Sequence, residues 1–80
     1  MIKLHVYVND NCKVCKRVIK ILKEFSNSEP NIQLKIINIK DTDKRVSIVP
    51  ALFFNDKLYS YGDINMNNLK NKVHQFIRSN

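Results

Sequence analysis

Cys12 and Cys15 are the two cysteines of this chain, and a Cys-x-x-Cys pair is the group in the sequence best suited to chemistry. A thiol-disulfide exchange site needs one exposed thiolate that attacks a substrate disulfide and a second thiol that resolves the mixed disulfide. A spacing of three at the start of a helix places one thiol in the first turn and the other on the apolar side. We therefore expect Cys12 to be the nucleophile and Cys15 the resolving thiol.

The surroundings of Cys12 favour the charged form of its thiol. The unpaired N–H groups and the dipole at a helix N-terminus stabilise an anion. Lys13 and Lys16 add positive charge close by. We expect these two lysines to lower the pKa of the Cys12 thiol.

Two other interpretations of the cysteine pair stay open at this point. Cys-x-x-Cys can form half of a metal site, for which His5 and His74 are the remaining ligand candidates. A pair of buried, unreactive cysteines inside a helix is the second alternative. Because a closed site needs four ligands and these two histidines lie on separate elements, we expect no metal to be bound. Because Cys12 follows the turn-forming sequence Asn-Asp-Asn, we expect it to be accessible.

The elements around the pair can be predicted from hydrophobic periodicity. Residues 2–8 alternate between apolar and polar side chains, which indicates a half-buried strand. Its other face, with Lys3, His5 and Tyr7, is expected to be half-solvated. After residues 9–11, apolar residues recur at helical spacing, namely Val14, Val18, Ile21, Leu22 and Phe25.

That helix is predicted to end in the loop at residues 26–30, where Pro30 cannot continue it. Residues 32–39 are rich in β-branched side chains and predict a second strand. A strand, helix and strand of these lengths form a βαβ unit with parallel strands. The polar segment 40–47 is predicted to be a short link of at most about two helical turns, with Asp41 or Thr42 as a cap.

The last third of the chain predicts a hairpin and a helix. Strands at residues 48–54 and 57–61 flank the turn Asn55-Asp56, and Gly62 ends the second strand. Asp63 is the expected N-cap of the final helix. Its apolar side is predicted from helical spacing to consist of Met66, Leu69, Val73, Phe76 and Ile77. The sequence thus predicts one α/β domain over residues 1–80, in the order β-α-β-link-β-β-α.

Composition restricts the possible partners. An apolar fraction of 44% and a charged fraction of 26% are typical of a soluble domain, and we expect no membrane association. The net charge of +7 is spread along the chain, so no nucleic-acid binding is expected. With two cysteines too close to staple a secreted scaffold, a cytoplasmic location is expected. The protein is expected to be a monomer.

The motifs, taken in order, resemble the thioredoxin-like superfamily from Ile2 to Ile77. The resemblance is carried by the Cys12–Cys15 pair, by Ile48-Val49-Pro50, by the hairpin and by Gly62. It implies a glutaredoxin-sized thioredoxin-like fold with a four-stranded mixed sheet and a cis bond between Val49 and Pro50. It also implies that Val49 and Pro50 bind an extended substrate beside Cys12.

The resemblance further implies the reaction partners. Disulfide-containing proteins would be the substrates, and a flavoenzyme reductase or glutathione would donate the electrons. No cofactor is expected beyond the redox-active disulfide, with glutathione as a candidate co-substrate.

Two positions depart from the pattern of the family. Lys13-Val14 matches neither the Gly-Pro of common thioredoxins nor the Pro-Tyr of common glutaredoxins, and Val6 stands where the family has a buried carboxylate.

Two further positions depart from the glutaredoxin pattern. Ile48 replaces the threonine with which glutaredoxins hold glutathione, and of their second glutathione motif the chain keeps only Gly62 and Asp63. The alternative function is a redox-inert thioredoxin-like module that binds a partner through its sheet or helix faces.

Overall fold

The computed structural model describes residues 1–79, and its first strand, β1, spans Ile2–Val8. Ile2, Leu4, Val6 and Val8 are buried on one face of β1. This alternation is what a pleated strand with one face against a core produces. The predicted strand is confirmed.

Helix α1 spans Lys13–Ser28 and buries one stripe of side chains. Cys15, Val18, Leu22 and Phe25 recur every three or four residues along this stripe and are 7% exposed or less. They pack in one cluster with the apolar side of β1. The stripe therefore fixes how α1 is rotated on the sheet.

Strand β2, Ile32–Asn38, pairs in parallel with β1 and completes the predicted βαβ unit. The chain then enters a short 3-10 turn at Ile39–Asp41. Asn38 caps this turn, since its side chain accepts a hydrogen bond from the backbone N–H of Lys40 at 3.0 Å. The prediction that Asp41 or Thr42 is the cap is therefore wrong.

Strands β3, Ala51–Phe54, and β4, Lys57–Tyr61, form the predicted hairpin. Its turn residues Asn55 and Asp56 both have positive φ, at 49° and 71°. Turns of this kind match the right-handed twist of a hairpin. The sheet has four strands in the order β2-β1-β3-β4, with β3 antiparallel to its neighbours.

The start of β3 differs from its prediction. Residues 48–50 were predicted to belong to the strand, but β3 begins at Ala51. Pro50 has no N–H to donate to a ladder, which explains why pairing begins after it. Ile48 consequently lies outside the sheet with its side chain 53% exposed.

Helix α2, Met66–Ser79, packs on the same face of the sheet as α1 through Leu69 and Val73. Asn65 rather than the predicted Asp63 caps it. The side chain of Asn65 accepts a hydrogen bond from the backbone N–H of Asn68 at 3.1 Å. None of the helices formed by residues 1–79 is long and apolar enough to cross a membrane.

Tyr7 points to the sheet face opposite to that of Leu4 and Val6, against which both helices pack. Tyr7 on this face was expected to be half-solvated, yet it is only 6% exposed. Its ring packs edge-on against Phe53 with centroids 5.3 Å apart. The ammonium group of Lys44, from the link after β2, lies 3.8 Å from the centroid of Phe53 and 5.4 Å from that of Tyr7. The link thus covers part of this face through a cation–π contact.

The cap of α2 can be tested by Asn65→Ala. The substitution removes the acceptor for one of the unpaired N–H groups at the helix start, so we expect a loss of about 1 kcal/mol in the free energy of unfolding. Denaturant titration gives the value. Asn67→Ala, at an exposed position inside α2, is the matched control and should leave stability equal or slightly higher. Equal effects of the two substitutions would contradict the assignment of the cap.

Candidate active site

Cys12 is the N-cap of α1. Its backbone is extended, with φ −108° and ψ 109°, and its carbonyl oxygen accepts the N–H of Lys16 at 3.3 Å. The Cys12 sulfur accepts the backbone N–H of Cys15 at 3.0 Å. A sulfur therefore stands where helices usually place the side-chain oxygen of Ser, Thr, Asp or Asn.

The two cysteines differ in exposure, as predicted. Cys15 is 1% exposed within the core, whereas Cys12 is partly buried at the edge of the core. Their sulfur atoms lie at disulfide distance, and their Cα atoms are 5.1 Å apart, within the usual range for a disulfide. Cys12 is the more accessible of the two sulfurs, and Cys15 faces it from inside the core.

The Val49-Pro50 segment lies at the same end of the sheet as the cysteines. Ala51, the residue after Pro50, pairs with Tyr7 near the end of β1, from which the chain leads to Cys12. The peptide bond between Val49 and Pro50 is cis. Pro50 is buried, and Val49 and Cys12 are each partly buried against the core.

A backbone hydrogen bond holds Pro50 to the segment after β4. The N–H of Gly62 donates to the carbonyl oxygen of Pro50 at 2.8 Å. Gly62 has φ +71°, a conformation that glycine adopts without a steric penalty. The chain can therefore turn sharply here while its N–H points back at Pro50.

Arg17 and Asp63 join α1 to this same segment. The guanidinium of Arg17 donates from Nε to Oδ1 at 3.2 Å and from a terminal nitrogen to Oδ2 at 2.6 Å. This two-point contact, mainly through its hydrogen bonds, lowers the pKa of Asp63 below its ordinary value of 3.8. The pair could not be predicted from the sequence, because the partners are 46 residues apart and both residue types are common on surfaces.

A second cluster holds the loop before Cys12. The carboxylate of Asp10 accepts hydrogen bonds from Lys40 and, at 2.6 Å, from the side-chain amide of Asn38. These hydrogen bonds lower the pKa of Asp10, and the one from Lys40 has the larger effect. The loop is thus tied to the carboxyl end of β2. In the sequence, the only indication of this contact is the position of Asp10, two residues before Cys12.

The other candidates from the sequence lie in different surroundings. Lys13 and Lys16 are exposed in the first turn of α1, beside Cys12 as expected. His5 lies on the sheet face away from α1, opposite Phe53, and His74 is exposed on α2. Neither histidine is brought to the cysteines. Residues 1–79 contain no cluster of three or more His, Cys, Asp or Glu side chains placed to hold a metal ion.

Comparisons with known proteins agree with this geometry. A family model described as a thioredoxin domain matches residues 2–74. The fold is similar to that of a thioredoxin from Trichomonas vaginalis, with a TM-score of 0.75 and 18% sequence identity over 94% of this chain and 78% of that one.

It is also similar to oxidised thioredoxin O2 from Arabidopsis thaliana. Here the TM-score is 0.66 and the identity 20%, over 92% of this chain and 73% of that one. No curated protein sequence matches the chain. The predicted α/β class and four-stranded mixed sheet of the thioredoxin-like fold are confirmed.

The two carboxylates at the site provide a test of its contacts. By carbon-detected NMR titration we expect Asp10 and Asp63 each to ionise with a pKa below 3.8. Because the folded-state pKa is the lower one, each contact stabilises the protein above the unfolded pKa. That stabilisation is lost as the pH falls through the folded value.

Two substitutions test the contacts of Asp10 and Asp63 independently. Lys40→Met should return the pKa of Asp10 towards its ordinary value and leave that of Asp63 unchanged, whereas Arg17→Met should do the reverse. A shift of both carboxylates in either variant would mean that the two clusters are coupled, contrary to the contacts described.

Proposed function

The chain belongs to the thioredoxin domain family, and from the geometry of its cysteine pair we propose that it is a thiol-disulfide oxidoreductase acting by dithiol–disulfide exchange. The observation that carries the proposal is the difference between the two sulfurs. Cys12 is reachable and accepts a helix N–H, while Cys15 is buried within bonding reach of it. An exchange reaction requires this inequivalence.

The reaction proceeds in two steps. The Cys12 thiolate attacks one sulfur of a substrate disulfide, forms a mixed disulfide and releases the other substrate sulfur as a thiolate. The Cys15 thiol gives up its proton, and its sulfur attacks Cys12, forms the Cys12–Cys15 disulfide and releases the second substrate thiolate. Two electrons pass from the protein to the substrate.

Burial of Cys15 has a consequence for the second step. Residues 1–79 contain no buried charged side chain, and Val6 in the neighbouring strand is apolar. We propose that water at the mouth of the site accepts the proton of Cys15, since no carboxylate lies inside to do so.

We propose that Val49 and Pro50 bind the substrate backbone. Among residues 1–79, no backbone hydrogen bond involves the N–H or C=O of Val49. Both groups are therefore available to an extended peptide, which would pair with them as an added strand. Binding of this kind uses the main chain and selects weakly among side chains.

To return to its dithiol form, the protein needs a donor of two electrons. We propose either a flavoenzyme that reduces a dithiol site or two molecules of glutathione. A cytoplasmic location fits this cycle, since that compartment supplies reduced thiols. The glutathione route has less support here, because Asp63 is engaged by Arg17 and Ile48 replaces a hydrogen-bonding threonine.

Substituting each cysteine separately tests the mechanism. Cys12→Ser should abolish disulfide reduction, because no accessible thiol remains. Cys15→Ser should accumulate a mixed disulfide between Cys12 and a substrate, visible by non-reducing electrophoresis and mass spectrometry. Ser26→Ala, on α1 remote from the pair in sequence, is a control that should retain activity.

Two outcomes would contradict the proposal. Disulfide reduction that survives in Cys12→Ser would exclude Cys12 as the nucleophile. Absence of reduction in the parent protein would leave the alternative, a redox-inert binding module.

Activation of Cys12 makes a separate prediction. The N–H of Cys15 and the end of the α1 dipole both favour a negative sulfur. We expect the Cys12 thiol of the reduced protein to have a pKa below the roughly 8.5 of a free cysteine. The pH dependence of iodoacetamide alkylation measures it. In Lys13→Gln/Lys16→Gln the pKa should move upwards, and a value at or above that of a free thiol in the parent protein would refute the activation.

A further inference from the structure

The exposed side of α1 next to Cys12 has an unusual charge distribution. From Lys13 to Lys23 the helix carries five basic residues and no acidic one. Its first turn contains no acidic residue. Glu24 is the first carboxylate along the helix.

Three of these lysines form one line. At 3.6 residues per turn, Lys13, Lys16 and Lys20 lie within about 60° of one another around the helix axis. All three are exposed. We call them the basic stripe; it begins next to Cys12 and runs along α1 away from it.

The carboxylates near the site do not neutralise the stripe. Asp10 pairs with Lys40 and Asp63 pairs with Arg17, and both contacts lower the pKa of the carboxylate. Within residues 1–79, no carboxylate lies within salt-bridge distance of a stripe lysine.

The link on the other side of the site adds no compensating charge. Apart from Lys40, which pairs with Asp10, it has two acidic and two basic residues, namely Asp41, Asp43, Lys44 and Arg45. The positive charge of the stripe is therefore the dominant unbalanced charge beside Cys12.

The stripe opposes the stability of its own helix. Positive charge in the first turn is unfavourable to the helix dipole, and like charges spaced three or four residues apart repel. Stabilisation of the Cys12 thiolate accounts for Lys13 and Lys16. It does not account for Lys20, which lies about 12 Å from Cys12 along the helix axis, beyond the screening length at physiological salt.

We propose that the basic stripe binds an acidic segment of the protein whose disulfide Cys12 attacks. The inference rests on the proposed function and names the substrate class of that same site. On one side of its cysteine the substrate's backbone pairs with Val49. On the other side the substrate crosses the exposed face of α1. An extended chain spans about 12 Å in three to four residues, so an Asp or Glu at that distance from the cysteine meets Lys20.

Three peptide disulfides with the same core test the proposal. They carry Glu, Gln or Lys at the third and fourth positions from the cysteine. For the parent protein we expect kcat/KM to be about tenfold higher for the Glu peptide than for the Lys peptide, with the difference shrinking as salt is raised.

The decisive variant is Lys20→Glu. It should lower the ratio of kcat/KM between the Glu and Lys peptides by about fivefold or more, as attraction becomes repulsion at one site. Because Lys20 is remote from the sulfur, the pH dependence of Cys12 alkylation should be the same as in the parent protein. Lys20→Gln should give an intermediate ratio.

Lys57→Glu is the matched control, since it makes the same change in net charge at an exposed position. Lys57 pairs with Phe54 at the hairpin, the opposite end of β3 from Pro50. In Lys57→Glu, the ratio of kcat/KM between the Glu and Lys peptides should equal that of the parent protein.

The outcomes separate the two proposals. Equal kcat/KM for the three peptides in the parent protein would overturn the acidic-substrate inference and leave the oxidoreductase standing. An equal change in Lys57→Glu and Lys20→Glu would show an effect of net charge and would overturn the role of the stripe. Failure to reduce any peptide would overturn the proposed function and the inference with it.

Discussion

Burial of the apolar stripe of α1 against β1 is the constraint from which the site follows. Cys15, Val18 and Leu22 occupy consecutive turns and are essentially inaccessible. Turning the helix about its axis would expose these side chains, at a cost of roughly 1.5–3 kcal/mol for each large apolar side chain. The rotation of α1 is therefore fixed, and the spacing of three between the cysteines becomes a difference in environment. Cys15 faces the core, and Cys12 lies at its edge.

The surroundings of Cys12 are then held by contacts between elements that are distant in the sequence. Lys40 reaches Asp10 across 30 residues and Arg17 reaches Asp63 across 46. All four side chains are exposed, so the pairs contribute little to the free energy of folding. Their effect is on geometry: one fixes the loop that presents Cys12, and the other joins α1 to the segment that supports Pro50.

Much of the fold could be predicted from the sequence because its elements obey local rules. The period of two in β1 and the spacing of three and four in α1 are consequences of backbone geometry, and both were confirmed. The inequivalence of Cys12 and Cys15 followed from the same spacing. The cap of the 3-10 turn and the start of β3 were predicted wrongly, although Asn38 and Pro50 act there on their immediate neighbours.

Two other errors arose where distant residues decide. Tyr7 alternates with core residues and was expected to be half-solvated. Its burial depends on Phe53 across the sheet and Lys44 in the link, neither of which local periodicity reveals. Asp63 and Asn65 are both good capping residues, and the choice between them depends on Arg17, which engages Asp63 from another helix. Ion pairs of this kind leave no pattern in a single sequence.

The capping of α1 links the fold to the proposed redox chemistry. A neutral sulfur is a weaker acceptor than the oxygen of Ser or Asp, so the helix begins with a poor cap at Cys12 while the disulfide is intact. Reduction and ionisation replace it by an anionic cap, which the N–H of Cys15 and the helix dipole stabilise. By thermodynamic linkage, whatever favours the thiolate favours the reduced form over the disulfide. A better cap and an acidic first turn would stabilise α1 in the oxidised protein. The disulfide of such a chain would therefore be a weaker oxidant. Under the proposed function, the positive charge of Lys13 and Lys16 acts in the opposite direction: it would lower the stability of the oxidised helix and raise the tendency of the Cys12–Cys15 disulfide to accept electrons.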